Sequence, residues 1–241
     1  MQQYYQTTRE GLAEATRLAH RALELDARFG LVAALAGICH MNNVTWGYAI
    51  DPQFERKEAI RLSQLALDAD DGDPETLAWA SVTSAFMVGD SESEIDMADR
   101  AVALNPNSYW AWNSRGWVYK IAGQPEEALR SFERAVRMSP VDTRLHLTFA
   151  GMGSAFVELG RFDEALVAAK RAQRQHASYA TPYRCLASAF AHLGREAEAR
   201  EAAARLLELD PTFTISSWIA RSRQPNSKLL IEGLRKAGLP E

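Results

Sequence analysis

The sequence predicts an all-α protein, an α-solenoid of antiparallel helix pairs stacked side by side. Three observations predict it. First, a short phrase recurs: Ala22-Leu-Glu-Leu-Asp, Ala66-Leu-Asp-Ala-Asp, Ala101-Val-Ala-Leu-Asn-Pro, Ala135-Val-Arg-Met-Ser-Pro, Ala172-Gln-Arg-Gln-His and Leu206-Leu-Glu-Leu-Asp-Pro, with anchors spaced by 44, 35, 34, 37 and 34 residues. Second, a glycine stands twelve residues before each of the last four anchors: Gly89, Gly123, Gly160 and Gly194. Third, no run alternates apolar and polar residues between turn signals, so strands are not expected. Self-similarity at a fixed period is the mark of supersecondary units that bury their apolar faces only by stacking.

In chain order, Met1 to Glu10 reads as the stub of a helix whose partner begins near Gly11, as in an array cut from a longer protein. Between Met41 and Phe54 an insertion that includes Trp46 accounts for the 44-residue spacing. The clearest unit follows. Ser108 to Ala122 is helical by pattern and stops at Gly123, a suitable C-terminal cap. Pro125 suits the first turn of the next helix, Glu126 and Glu127 complement its dipole, and Pro140 lies beyond its end near Met138. After Pro211 the anchors stop, leaving two short apolar stretches, Ile215–Ile219 and Leu229–Leu234. Arg221, Arg223, Lys228, Arg235 and Lys236 make this segment basic, so it reads either as a cap over the open end of the solenoid or as a basic docking tail. The division is an array over 1–211, with about six units and the first incomplete, and a helical cap over 212–241.

Composition narrows the function classes. The 241 residues are 47% hydrophobic and 24% charged, which excludes wholesale disorder. A net charge of −4 argues against a nucleic-acid partner. No apolar run is long enough for a membrane span, and the polar N-terminus lacks a signal-peptide core. Cys39 and Cys185 stand apart in apolar segments and read as buried hydrophobes in a reducing, cytoplasmic compartment.

The repeat units resemble the tetratricopeptide repeat. The 109–142 copy supplies Trp112, Gly116, Tyr119, Ala128, Phe132, Ala135 and Pro140 at the pattern's positions. Phe149, Gly153, Phe156, Ala165 and Ala172 serve the next copy, and Tyr183, Ala187, Phe190, Ala199 and Pro211 the last. Arg115 stands where the pattern usually has Leu, and the terminal Pro is absent at Ala27, Asp71 and Ala177. The resemblance implies a right-handed superhelix whose first helices line a concave groove that binds a protein or peptide partner.

In that register Trp112, Gly116 and Tyr119 face the paired helix, and Trp110, Asn113 and Trp117, on the opposite stripe, face the groove. The candidate groove residues are Trp79, Thr83, Phe86, Trp110, Asn113, Trp117, Lys120, Ser154, Arg184, Ser188 and His192. Aromatic residues with Arg are the composition of binding hot spots. The rival reading packs Trp79, Trp110 and Trp117 between neighbouring first helices or under the 42–54 insertion. The groove lacks the Lys/Asn grid of carboxylate-clamp repeats, which argues against capture of a C-terminal peptide.

Catalytic and metal motifs are not found. No histidine pair has His-Glu-x-x-His spacing, no phosphate-binding Gly-rich loop or Gly-x-Ser-x-Gly exists, and Asp68, Asp70, Asp71 and Asp73 read as a solvated turn. No cofactor or enzymatic activity is expected. Several phrases, Ala135-Val-Arg-Met-Ser-Pro-Val-Asp, Arg205-Leu-Leu-Glu-Leu-Asp-Pro-Thr-Phe and above all the terminus from Glu232 to Glu241, resemble the C-terminal repeat region of bacterial class III adenylate/guanylate cyclase-like proteins. That resemblance implies a regulatory, partner-binding role, any cyclase activity belonging to an upstream domain. The alternatives are a free-standing adaptor and a small-molecule or lipid sensor using the Trp-lined groove. The open N-terminal end also offers a surface for a homodimer.

Overall fold

Local chemistry starts and stops the helices. The Asp51 carboxylate accepts from the N–H groups of Gln53 and Phe54, and that of Asp73 accepts from Thr76. Pro52, Pro74 and Pro125 each sit in a first helical turn, where a missing N–H costs nothing. Gly89, Gly123, Gly160 and Gly194 adopt φ of 83°, 76°, 70° and 71°, the left-handed conformation that turns the chain between two helices of a pair.

The computed structural model describes residues 8–222 and 227–241, and among these thirteen helices and no strand. Helix α1 (Arg9–Leu25) is followed by five antiparallel pairs: α2 (Gly30–Thr45) with α3 (Pro52–Ala69), α4 (Pro74–Met87) with α5 (Ser91–Leu104), α6 (Tyr109–Ile121) with α7 (Pro125–Met138), α8 (Leu145–Glu158) with α9 (Phe162–Gln175), and α10 (Ala180–His192) with α11 (Glu196–Leu209). Helices α12 (Ile215–Ser222) and α13 (Lys228–Lys236) complete the chain. The fold is an all-helical solenoid, as expected.

Two boundaries differ from expectation. Helix α1 starts at Arg9 with Thr8 as its cap, so Gly11 lies inside the first turn; Met1–Thr7 lie outside the described residues. Helix α2 continues to Thr45, because burial of Val44 and Thr45 outweighs the weak helix propensity of that stretch, and the break is confined to 46–51.

The outer layer is formed by the second helices, whose recurring anchors Ala66, Ala101, Ala135, Ala172 and Leu206 are all fully buried against their partners. Ala22, on the terminal helix, is only half-buried. The first helices form the inner layer, and they are covered on nearly every side. In α4 every residue from Thr76 to Met87 except Ser84 is buried. An apolar helix without a polar face belongs inside a protein.

The C-terminal segment supplies that cover. Helix α12 packs on α2, while α13 packs on α10 and α8, across the inner face of the array. The segment expected to close the last repeat thus packs on the first helices α2, α8 and α10 instead. The Ile215 N–H donates to the Pro240 carbonyl at 2.8 Å and ties the two ends of this cover together. The array also meets itself. Trp46, after α2, stands edge-on to Tyr179, at the start of α10, with ring centroids 5.8 Å apart.

Candidate functional site

Ten of the eleven residues expected to line an open groove are no more than 9% exposed, and His192 is half-buried. The expectation of tryptophans facing an open groove is therefore corrected. Trp79 packs edge-on to Trp110 at 5.7 Å between α4 and α6, and Trp117 lies 5.9 Å from the Phe86 ring and 5.7 Å from that of Phe132. Their large apolar surfaces are withdrawn from water by neighbouring first helices and by the chain's own C-terminal segment.

Four of the same residues hold that segment. The Lys120 ammonium pairs with the Glu158 carboxylate at 2.9 Å, both side chains at most 6% exposed. Ser227 completes the cluster: its hydroxyl donates to Glu158 Oε1 at 2.6 Å and accepts from Lys120 Nζ at 3.3 Å. Ser188 Oγ and His192 Nε2 both donate to the Leu229 carbonyl, at 3.3 and 2.7 Å. The Arg184 guanidinium lies 5.5 Å from the Trp218 ring of α12. A Cβ at Gly233 would fall 2.7 Å from Ser188 Cα, so α13 and α10 run in backbone contact. The ion pair joins α6 to α8, and the loss of one member would leave an uncompensated buried charge, at about 3–5 kcal/mol; the start of α13 is held to it by the two hydrogen bonds of the Ser227 hydroxyl.

The basic residues of the segment are largely occupied locally. Arg221 pairs with Asp210 at 3.0 Å, Arg235 with Glu241 at 2.5 Å and Lys236 with Glu232 at 2.7 Å; Arg223 lies outside the described residues. A free basic tail is thus not what these side chains form.

Six of the predicted residues, Phe86, Trp110, Asn113, Trp117, Ser154 and Arg184, meet around a central cavity of about 70 Å³. Every inner helix contributes to its wall, and Trp218 and Leu230 close it from the C-terminal segment. The remaining five, Trp79, Thr83, Lys120, Ser188 and His192, lie outside its lining. Sequence reasoning missed Tyr179 and Trp218 as lining residues. Trp218 was visible as the centre of an apolar stretch, but nothing in a 34-residue period says that such a stretch folds back inward. Cys185 also lines the wall, and burial pushes its thiol up to about 11, with that of Cys39 up to about 12. Both are protonated, inert side chains at neutral pH.

Tetratricopeptide repeat family models match residues 97–130 and 151–212. Within those two stretches the chain carries tetratricopeptide repeats. The repeat array is similar in structure to a chain of the APC/C hetero-tetramer Cut9–Hcn1, with a TM-score of 0.66 at 15% identity over 94% of this chain and 39% of that one. It is also similar to a thermophilic tetratricopeptide protein of Thermus thermophilus, with a TM-score of 0.58 at 22% identity over 76% and 96% of the two chains. In sequence it is 27% identical over 161 residues to Superkiller complex protein 3 of Mus musculus, covering 66% of this chain and 10% of that protein. The array thus spans about a tenth of the length of that curated relative. The structural likenesses establish the fold, which is consistent with a protein–protein interaction module. Among the described residues no helix is long and apolar enough to cross a membrane.

Proposed function

We propose that this chain is a noncatalytic protein-interaction module whose inner face receives an amphipathic helix. One observation carries the reading: the inner face already holds such a helix, α13, through Lys120, Ser188 and His192, which the repeat register assigns to partner recognition. Helix-in-groove binding places an apolar stripe into a groove and fixes it with a few polar contacts. Here the stripe is Leu230 and Leu234, both buried, and the contacts are those to Ser227 and the Leu229 carbonyl. A partner helix of the same pattern competes with α13 for this face. The resemblance to the repeat region of class III cyclase-like proteins adds the setting, a bacterial, cytoplasmic signalling protein in which the array regulates or scaffolds its neighbours.

A labelled peptide spanning residues 227–241 tests the groove. Leu234→Asp puts a charge at a fully buried position of α13 and detaches that helix. The peptide is expected to bind the Leu234→Asp protein and not the wild type, as read by fluorescence anisotropy. A folded Leu234→Asp protein that ignores the peptide, or a wild type that binds it equally, defeats the reading.

A second reading rests on the other end. Leu18, Leu25 and Phe29 are 45%, 78% and 48% exposed beside α1, where a further repeat would otherwise stack. A second copy docking there gives a homodimer, and sedimentation of wild type against Leu25→Lys distinguishes it from the monomer.

A further inference from the structure

Arg184 is the one charged residue among those lining the central cavity. It is 8% exposed. Its guanidinium carries five N–H donors and stays protonated in proteins. One nitrogen, Nη2, donates to Thr181 Oγ1 at 2.7 Å, and the ring of Trp218 lies against the group. Among the described residues no carboxylate oxygen comes within 4.0 Å of it. Asp210, which acts on it from farther away, is engaged by Arg221 at 3.0 Å. Burial pulls the guanidinium below its ordinary range, the sign of a cation short of compensation. A buried charge is normally paired, and this one instead borders a partly open cavity and also lines a smaller one beside Tyr48.

Two further polar residues line the same space. Ser114 lines the cavity with its buried hydroxyl lacking any hydrogen-bond partner. Asn113 has its amide oxygen fixed by the Thr148 hydroxyl at 2.8 Å, which leaves its NH2 to donate. The rest of the wall is mainly aromatic and aliphatic, with Trp46, Trp110, Trp117 and Trp218 its largest members.

We propose that this cavity is a binding site for a small monocarboxylate, whose oxygens take the free donors of Arg184 and whose short apolar tail lies against the aromatic wall. The lining chooses among anions. A single guanidinium neutralises one negative charge, so a phosphate dianion would carry a second into a mainly apolar cavity. No Asp or Glu lines the cavity, so the ammonium of an amino acid would be unpaired there. Volume limits the tail: about 70 Å³ is roughly half of the ~150 Å³ cavity known to hold benzene, which points to an acid of two to four carbons. The proposal is separate from the helix-binding role of the inner face, since it concerns the space left after α12 and α13 are in place.

The test uses the whole chain and propionate as the probe, with tryptophan fluorescence and thermal melting as readouts. Propionamide has the same shape without the charge, and inorganic phosphate has charge without the tail. Propionate is expected to perturb the fluorescence and raise the melting temperature, and propionamide and phosphate are not. Arg184→Met keeps the volume and removes the charge. It is expected to weaken propionate binding by about tenfold or more while melting no lower than the wild type without ligand, because an unpaired buried charge has been removed. Equal responses to propionate and propionamide, a preference for phosphate, undiminished propionate binding by Arg184→Met, or no response to propionate each overturn the proposal.

Discussion

His146, at the start of α8, is 1% exposed, and its two ring nitrogens have different fates. Nδ1 donates to the Thr143 carbonyl at 3.0 Å, while Nε2 is buried without a partner. The His176 ring stands 4.9 Å away. Burial, reinforced by that neighbour, lowers the His146 pKa to about 4. In the unfolded chain the same imidazole titrates near 6.5, so below that pH the unfolded state binds a proton that the folded state refuses. Stability is therefore full above about pH 6.5 and is lost as pH falls from there to about 4, by at most about 3 kcal/mol. His146→Asn keeps a donor for Thr143 and does not titrate. Urea melts at pH 7.5 and pH 5 are expected to differ less for this variant than for the wild type; an equal difference would place the acid sensitivity elsewhere.

At the scale of helices, the seam between adjacent repeats turns on one ring. Phe132 of α7 is fully buried beneath Gly116 of α6 and Gly151 of α8. A Cβ at Gly116 would come 2.5 Å from the ring, and one at Gly151 2.4 Å. At Gly153, the small position of the repeat pattern, a Cβ would meet Ala169 at an ordinary 3.5 Å. The pattern thus marks contacts within a pair, tight at Gly116 and ordinary at Gly153, whereas the equally tight contact between pairs falls at Gly151, which the pattern does not single out. Gly151→Ala is expected to cost about 1–3 kcal/mol through overpacking, although alanine is the better helix former by about 1 kcal/mol. Phe132→Leu in the Gly151→Ala background should recover part of the loss, and a double-mutant cycle by urea denaturation measures the coupling. Strict additivity would mean that the ring is not the obstacle. The helices and their turns were legible because the anchor alanines, the turn glycines and the charged outer faces all repeat locally. The filled inner face was harder to read. Its signal, first helices such as α4 with almost no polar side, was present, but the covering partner is remote: Ser227 meets Lys120 across 107 positions of chain.

For the molecule as a whole, the contact of Trp46 with Tyr179 and the packing of α12 on α2 join the first pair to the last. Repeat arrays ordinarily gain stability only from nearest neighbours. Here a long-range tie links the ends, so their opening is coupled. Trp46→Ala is expected to speed amide hydrogen exchange at the end of α2 and the start of α10 together, with α6 and α7 little changed. Faster exchange at only one of the two places would show that the ring contact carries no coupling. The same contact has an evolutionary corollary. An open solenoid can lengthen or shorten by duplicating or deleting a unit, since every junction resembles the next. In this chain a pair added or removed between α3 and α10 would change the distance between Trp46 and Tyr179 and break the contact. The indole and the phenol therefore act as a tally: they meet across the three pairs that stand between the first and the fifth.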